Sequence, residues 1–143
     1  MRKSQIYSLT TLGGKTKEFM WQMREDGSII IWRTLKSGDI ENIFTQEVLA
    51  YLFYRLAELP SPLRLANNVS KLYEGTEEAG IGSIAYSYTN DISLAQATLQ
   101  LVSIFVELGV LEMEENKRST GFYLMCDFEE YLRRVDDFLM MEA

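Results

Sequence analysis

Between Ile81 and Met125 the chain reads as a fixed succession: a short helix (Ile84 to Tyr88), a polar turn (Thr89-Asn90-Asp91-Ile92-Ser93), a long helix (roughly Leu94 to Leu108), then two strands. The strands are Val110 to Glu114 and Gly121 to Met125, and Glu115-Asn116-Lys117-Arg118-Ser119-Thr120 forms the tip between them. Two helices followed by a β-hairpin constrain the fold more than any other part of the chain. The electrostatics oppose the usual use of such a unit, because the long helix carries no Lys or Arg and ends in Glu107.

The 143 residues, 47% of them apolar, suffice for one cooperative domain with a real core. Three segments are expected within it: a β-meander over 1–44, a helical and hairpin core over 45–126, and a terminal helix over 127–143. Cys126 is the single cysteine and histidine is absent, so disulfides, thiolate or imidazole metal sites and His-based catalytic dyads are not expected. The expectation is a protein that is not an enzyme and uses no cofactor and no metal. Cys126 reads as a small buried hydrophobe at a strand end. No window of about 18 or more consecutive apolar residues exists, and Met-Arg-Lys-Ser-Gln does not open a signal peptide. A cytoplasmic location without membrane contact is expected.

The net charge of −7 is uneven. Residues 1–40 hold seven basic and four acidic side chains, a balance of +3, whereas residues 41–143 hold seven basic and seventeen acidic, a balance of −10. Positive potential therefore concentrates at the N-terminal end.

That end carries two tight-turn signals, Gly13-Gly14 and Asp26-Gly27, which predict a three-stranded antiparallel meander. A two-residue turn at Asp26-Gly27 sets Glu25 opposite Ser28, Met23 opposite Ile30 and Trp21 opposite Trp32. One face is then a slab of Phe19, Trp21, Met23, Ile30 and Trp32, expected to pack on the next helix. The other pairs Met20, Gln22 and Arg24 with Ile29, Ile31 and Arg33.

Thr45 is positioned to cap a helix running to about Glu58, ended by Pro60 and Pro62. Its apolar residues exceed one stripe, so it is expected between two layers or in a dimer. A second helix is predicted from about Leu63 to Tyr73, stopped by Gly75, followed by a flexible connection over residues 74–82. Gly80-Ile81-Gly82 imitates a dinucleotide fingerprint, but the preceding residues are acidic and loop-like rather than a buried strand, so the match is rejected. Asp127 and Glu130 start a last helix with the stripe Phe128, Tyr131, Leu132, Val135, Phe138 and Leu139.

The succession from Ser83, with Glu107-Leu108-Gly109-Val110-Leu111-Glu112 closing the long helix, resembles the winged helix-turn-helix superfamily of bacterial regulators. The resemblance covers about 45 residues, or about 65 if Leu63 to Tyr73 serves as the first helix. It implies an α+β winged helix with an N-terminal meander and an extra C-terminal helix, and a dimeric, DNA-binding transcriptional regulator. In such proteins the long helix enters the major groove and the wing tip touches phosphates. The matching positions are Gln96, Gln100 and Ser103, which share one polar arc with Glu107, and Lys117 and Arg118 at the tip, with Arg64 and Lys71 on the preceding helix. Gln96 and Gln100 suit adenine edges. The alternatives are a core helix whose polar arc is a solvated edge, in a winged helix that has become a protein-interaction or dimerisation module, and a basic N-terminal sheet that binds single strands. The last uses Arg24, Arg33, Lys15 and Lys17 and requires Trp21 or Trp32 to be exposed. The terminal helix, with Met140 and Met141, is equally suited to a homodimer interface and to its own domain.

Overall fold

A computed structural model describes residues 2–12, 17–114 and 121–142. The fold is α+β. The N-terminal part is a four-stranded antiparallel sheet, order β1-β2-β3-β4, of β1 (Lys3–Thr10), β2 (Glu18–Arg24), β3 (Ile29–Leu35) and β4 (Gly38–Phe44). This corrects the three-stranded expectation. The third turn, Lys36-Ser37, joins paired residues Leu35 and Gly38, and β4 was hidden because Asp39 and Glu41 interrupt its apolar pattern. The Gly13-Gly14 turn lies outside the described residues.

The register also differs from the expectation by one residue: Met23 pairs with Ile29, Trp21 with Ile31 and Met20 with Trp32. The cause is the turn. Gly27 N–H donates to Arg24 O and Arg24 N–H to Ser28 O, each at 2.9 Å, and Gly27 sits at φ +90°. Three residues, not two, therefore connect the strands, the arrangement in which a turn is followed by a glycine bulge. Because side chains alternate along a strand, the extra residue exchanges the faces of β3. Ile29, Ile31 and Arg33 join Phe19, Trp21 and Met23 on the inner face, while Trp32 goes to the outer one.

Helix α1 (Gln46–Leu56) begins as expected, with Thr45 accepting from Val48 N–H, and buries Val48, Leu49, Leu52, Phe53 and Leu56. The predicted second helix is cut at its front. Leu63–Arg64 is a strand, β5, and the helix α2 spans Val69–Glu74, capped by Asn68 and stopped by Gly75 at φ 72°. Leu63 and Arg64 pair with Phe122 and Gly121, residues remote in sequence, and this pairing overrides local helical spacing.

The connection before α3 (Ile81–Thr89) is pinned by its glycines. A Cβ on Gly80 would lie 2.5 Å from Arg64 O and one on Gly82 2.6 Å from Ala66 O, so the backbones approach where a side chain would not fit. Gly82 N–H also donates to Leu65 O at 2.6 Å. The predicted long helix is two pieces, α4 (Ile92–Gln96), capped by Asp91, and α5 (Thr98–Glu107), separated at Ala97, where ψ is −7°. β6 (Leu111–Met113) and β7 (Gly121–Leu124) complete a second sheet of order β5-β7-β6.

Helix α6 (Phe128–Met141) starts at the Asp127 cap and crosses the first sheet. Tyr131, Val135 and Leu139 are fully buried, and Phe138 packs against Tyr7 and Trp21 with ring centroids 5.5 and 5.7 Å away. At about 1.5–3 kcal/mol for each fully buried large apolar side chain, this stripe is a substantial part of the domain's cohesion. One hydrophobic cluster runs from Phe19 through α1 and α5 to Leu139, so the three segments read from the sequence share a core.

Candidate functional site

The side chains expected to read DNA do not form an accessible face. Helix α5 packs against α3, α4, β1 and β6, and from Thr98 to Val106 no residue is exposed. Gln100 is 5% exposed and Ser103 2%, and Ser103 Oγ donates back to Leu99 O at 3.4 Å within its own helix. Gln96 is half-buried at the end of α4, and Glu107 is exposed at the end of α5. The polar arc holds as an angular pattern, but folding buries its middle, Gln100 and Ser103, and leaves only Glu107 exposed. A surface contact for Gln100 and Ser103 is corrected on that ground. Gln100 Oε1 is buried without a hydrogen-bond partner among the described residues. Lys117, Arg118 and the rest of the tip, residues 115–120, lie outside the described residues.

The N-terminal sheet likewise withholds its stacking platform. Trp21 is 3% exposed, held between Tyr7 and Phe138. Trp32 is half-buried and its Nε1–H donates to Glu41 Oε1 at 3.1 Å. Arg33 points inward, with Nε–H donating to Asn42 Oδ1 at 2.9 Å and Nη2–H to Ser93 O at 2.8 Å. Burial lowers its pKa, opposed by nearby Asp91. This cluster joins β3 and β4 to the start of α4, and its work is to hold the sheet over the helices. Lys17 is exposed and Arg24 half-buried, while Lys15 lies outside the described residues.

After the first sheet, the described cationic side chains are Arg55, Arg64, Lys71, Arg133 and Arg134. Arg64 on β5 is exposed and 3.6 Å from Glu78, and Lys71 is exposed on α2. Arg134 donates to the carbonyls of Leu108 and Gly109, which fastens α6 to the end of α5.

A concavity to which the sequence did not point lies elsewhere. A groove of about 970 Å³ runs between the C-terminal end of α1, the segment leading to β5, the end of β7 and the start of α6. Phe53, Leu56, Leu59, Leu63, Leu124 and Phe128 contribute its apolar lining, and Glu58, Asp127 and Glu129 its carboxylates. Tyr54 and Met125 stand at its edge, 70% and 49% exposed. The available sequence signal was the density of apolar residues in α1, which exceeds what one buried stripe needs. Cys126 also lines the groove; it is half-buried rather than buried, and burial raises its thiol pKa despite Arg134 nearby. The thiol is thus held protonated at neutral pH, unlike a catalytic nucleophile.

Among the described residues no three His, Cys, Asp or Glu side chains converge as metal ligands, and no helix is long and apolar enough to cross a membrane. Comparison of the chain with protein-family models, with curated proteins and with solved structures gave no match.

Proposed function

We propose that this chain is a winged helix turned into a protein-interaction module, its groove-reading helix absorbed into the core. The winged-helix part of the reading rests on order and pairing. A first helix (α1) is followed by a short strand (β5), further helices, and a hairpin (β6, β7), and the short strand pairs with the hairpin's second strand to give the order β5-β7-β6.

The observation that carries the functional part is the burial of Gln100 and Ser103, at 5% and 2% exposure. Direct readout requires side chains that reach base edges in a groove. A helix enclosed by α3, β1 and β6 offers none from its central turns. The balance of −10 over residues 41–143 adds to this, since phosphate neutralisation supplies most nonspecific DNA affinity. Helix α6 turns its stripe onto its own domain, which favours that role over a homodimer interface for all but Met140 and Met141.

One observation favours the competing reading, a dimeric regulator of transcription that binds duplex DNA. Arg64 is exposed on β5 and pairs in the sheet with Gly121, and Gly121 directly follows in sequence the segment 115–120 that carries Lys117 and Arg118. Fluorescence anisotropy of labelled random-sequence duplex, titrated at low salt and repeated as salt rises, separates the two. The interaction module leaves the duplex unbound. Micromolar binding that falls steeply with salt and disappears in Lys117→Glu or Arg118→Glu would establish the regulator instead.

A further inference from the structure

We propose that the groove between α1 and α6 is the docking site for a short amphipathic helix of another protein, apolar on one side and flanked by Lys or Arg. This rests on the interaction-module reading and names the chemistry of its partner. The groove's floor is apolar, through Phe53, Leu56, Leu63 and Phe128, as required by a partner that inserts side chains spaced along one helical face. Its charge has one sign. Glu58, Asp127 and Glu129 line it and no Lys or Arg does.

Of the three carboxylates, Glu58 lies 3.7 Å from Arg55 and Asp127 caps α6, while Glu129 has no ion-pair partner among the described residues. The C-terminal end of α1 opens onto the same groove, and the negative pole of its helix dipole adds to the acidic character. A cationic flank is therefore the complement. The positive pole of α6, which also opens onto the groove, is already met by its Asp127 cap and by Glu129, and an anionic small molecule such as a fatty acid finds no Lys or Arg in the lining. The edge residues suit a peptide: Met125 adapts its shape and Tyr54 offers a large amphipathic contact.

The test is fluorescence anisotropy of two labelled model peptides of about four helical turns, one built from Leu and Lys and one from Leu and Glu in the same pattern. The proteins are the full chain, Met125→Lys and Glu129→Lys in the groove, and Met20→Lys on the outer face of the first sheet. All three substituted positions are exposed in the wild type, and circular dichroism melts check that each variant folds. The expected result is micromolar, salt-weakened binding of the Leu/Lys peptide alone, reduced about tenfold or more by Met125→Lys and several-fold by Glu129→Lys, and unchanged by Met20→Lys.

No binding of the Leu/Lys peptide, or equal binding of the Leu/Glu peptide, overturns the proposal. So does binding that Met125→Lys leaves intact or that Met20→Lys removes. If the neutral dye Nile red fills the groove in a Met125-dependent manner while neither peptide binds, the site is a small-molecule pocket and the proposal fails. The duplex titration keeps the two levels apart: DNA binding overturns the interaction module, whereas peptide failure without DNA binding overturns the groove assignment alone.

Discussion

The Tyr131 hydroxyl donates a 2.6 Å hydrogen bond to the carbonyl of Gly27, joining the last helix to the turn that sets the register of the first sheet. The hydroxyl also lies 3.7 Å from Met23 Sδ, and the Tyr131 ring packs tilted against Phe53 and edge-on to Phe105, at centroid distances of 5.2 and 5.6 Å. Tyr131→Phe leaves the Gly27 carbonyl without this partner in an apolar surround and is expected to cost about 1–3 kcal/mol. Gly27→Ala places a Cβ 3.0 Å from Leu132 Cδ2 at a φ of +90° and is expected to destabilise as well. Because the residues touch, urea denaturation of the double variant should give a loss smaller than the sum of the two.

The same tyrosine gives the domain an alkaline limit. Burial pushes the Tyr131 hydroxyl well above its ordinary range, so the folded state holds the proton more tightly than the unfolded chain. The stabilisation is complete below the unfolded value of about 10 and is lost as pH rises beyond it. Thermal melts between neutral pH and pH about 11 should show a fall in Tm above pH about 10 that is shallower in Tyr131→Phe.

Arg33 ties the sheet to α4 through Asn42 and Ser93. Arg33→Met removes hydrogen bonds from a charged donor and leaves the buried Asn42 and half-buried Ser93 acceptors without it, at an expected cost of about 2–3 kcal/mol. Arg33→Lys should recover little, because one ammonium does not reproduce the fork that spans both partners. The readout is the urea midpoint at constant m-value.

Gln100 separates the two functional readings through stability. A residue that reads DNA is retained for binding, and its replacement lowers affinity. A residue with its carbonyl oxygen buried and unpartnered is a liability in the fold. Gln100→Met, similar in volume and without the oxygen, is expected to leave stability unchanged or raise it by about 1 kcal/mol, measured by differential scanning calorimetry.

Gly82→Ala tests whether the connection before α3 is packed. Its Cβ would meet Ala66 O at 2.6 Å and Asn67 Cβ at 2.6 Å, so a loss of about 1–3 kcal/mol is expected. A freely moving connection would tolerate alanine or gain from it, and comparison of chemical denaturation curves decides.

Element boundaries governed by neighbours in sequence were legible. Thr45 caps α1, Gly75 ends α2 and Asp127 starts α6, because each acts on backbone groups within one turn. The apolar stripe of α6 was legible for the same reason, since helical periodicity alone places Tyr131, Val135 and Leu139 on one side. Tertiary structure decided what lies far away along the chain. β5 exists because Leu63 finds Phe122, and the faces of β3 depend on a single extra residue at Gly27, which leaves the β-prone composition unchanged. The arc of Gln100 and Ser103 was visible as spacing, but whether an arc meets water or another element depends on what folding brings against it, and here β1 lies against α5 and both residues are buried. The groove belongs to the same class: its walls come from residues near 55, 63, 125 and 128, and only folding brings them to one place.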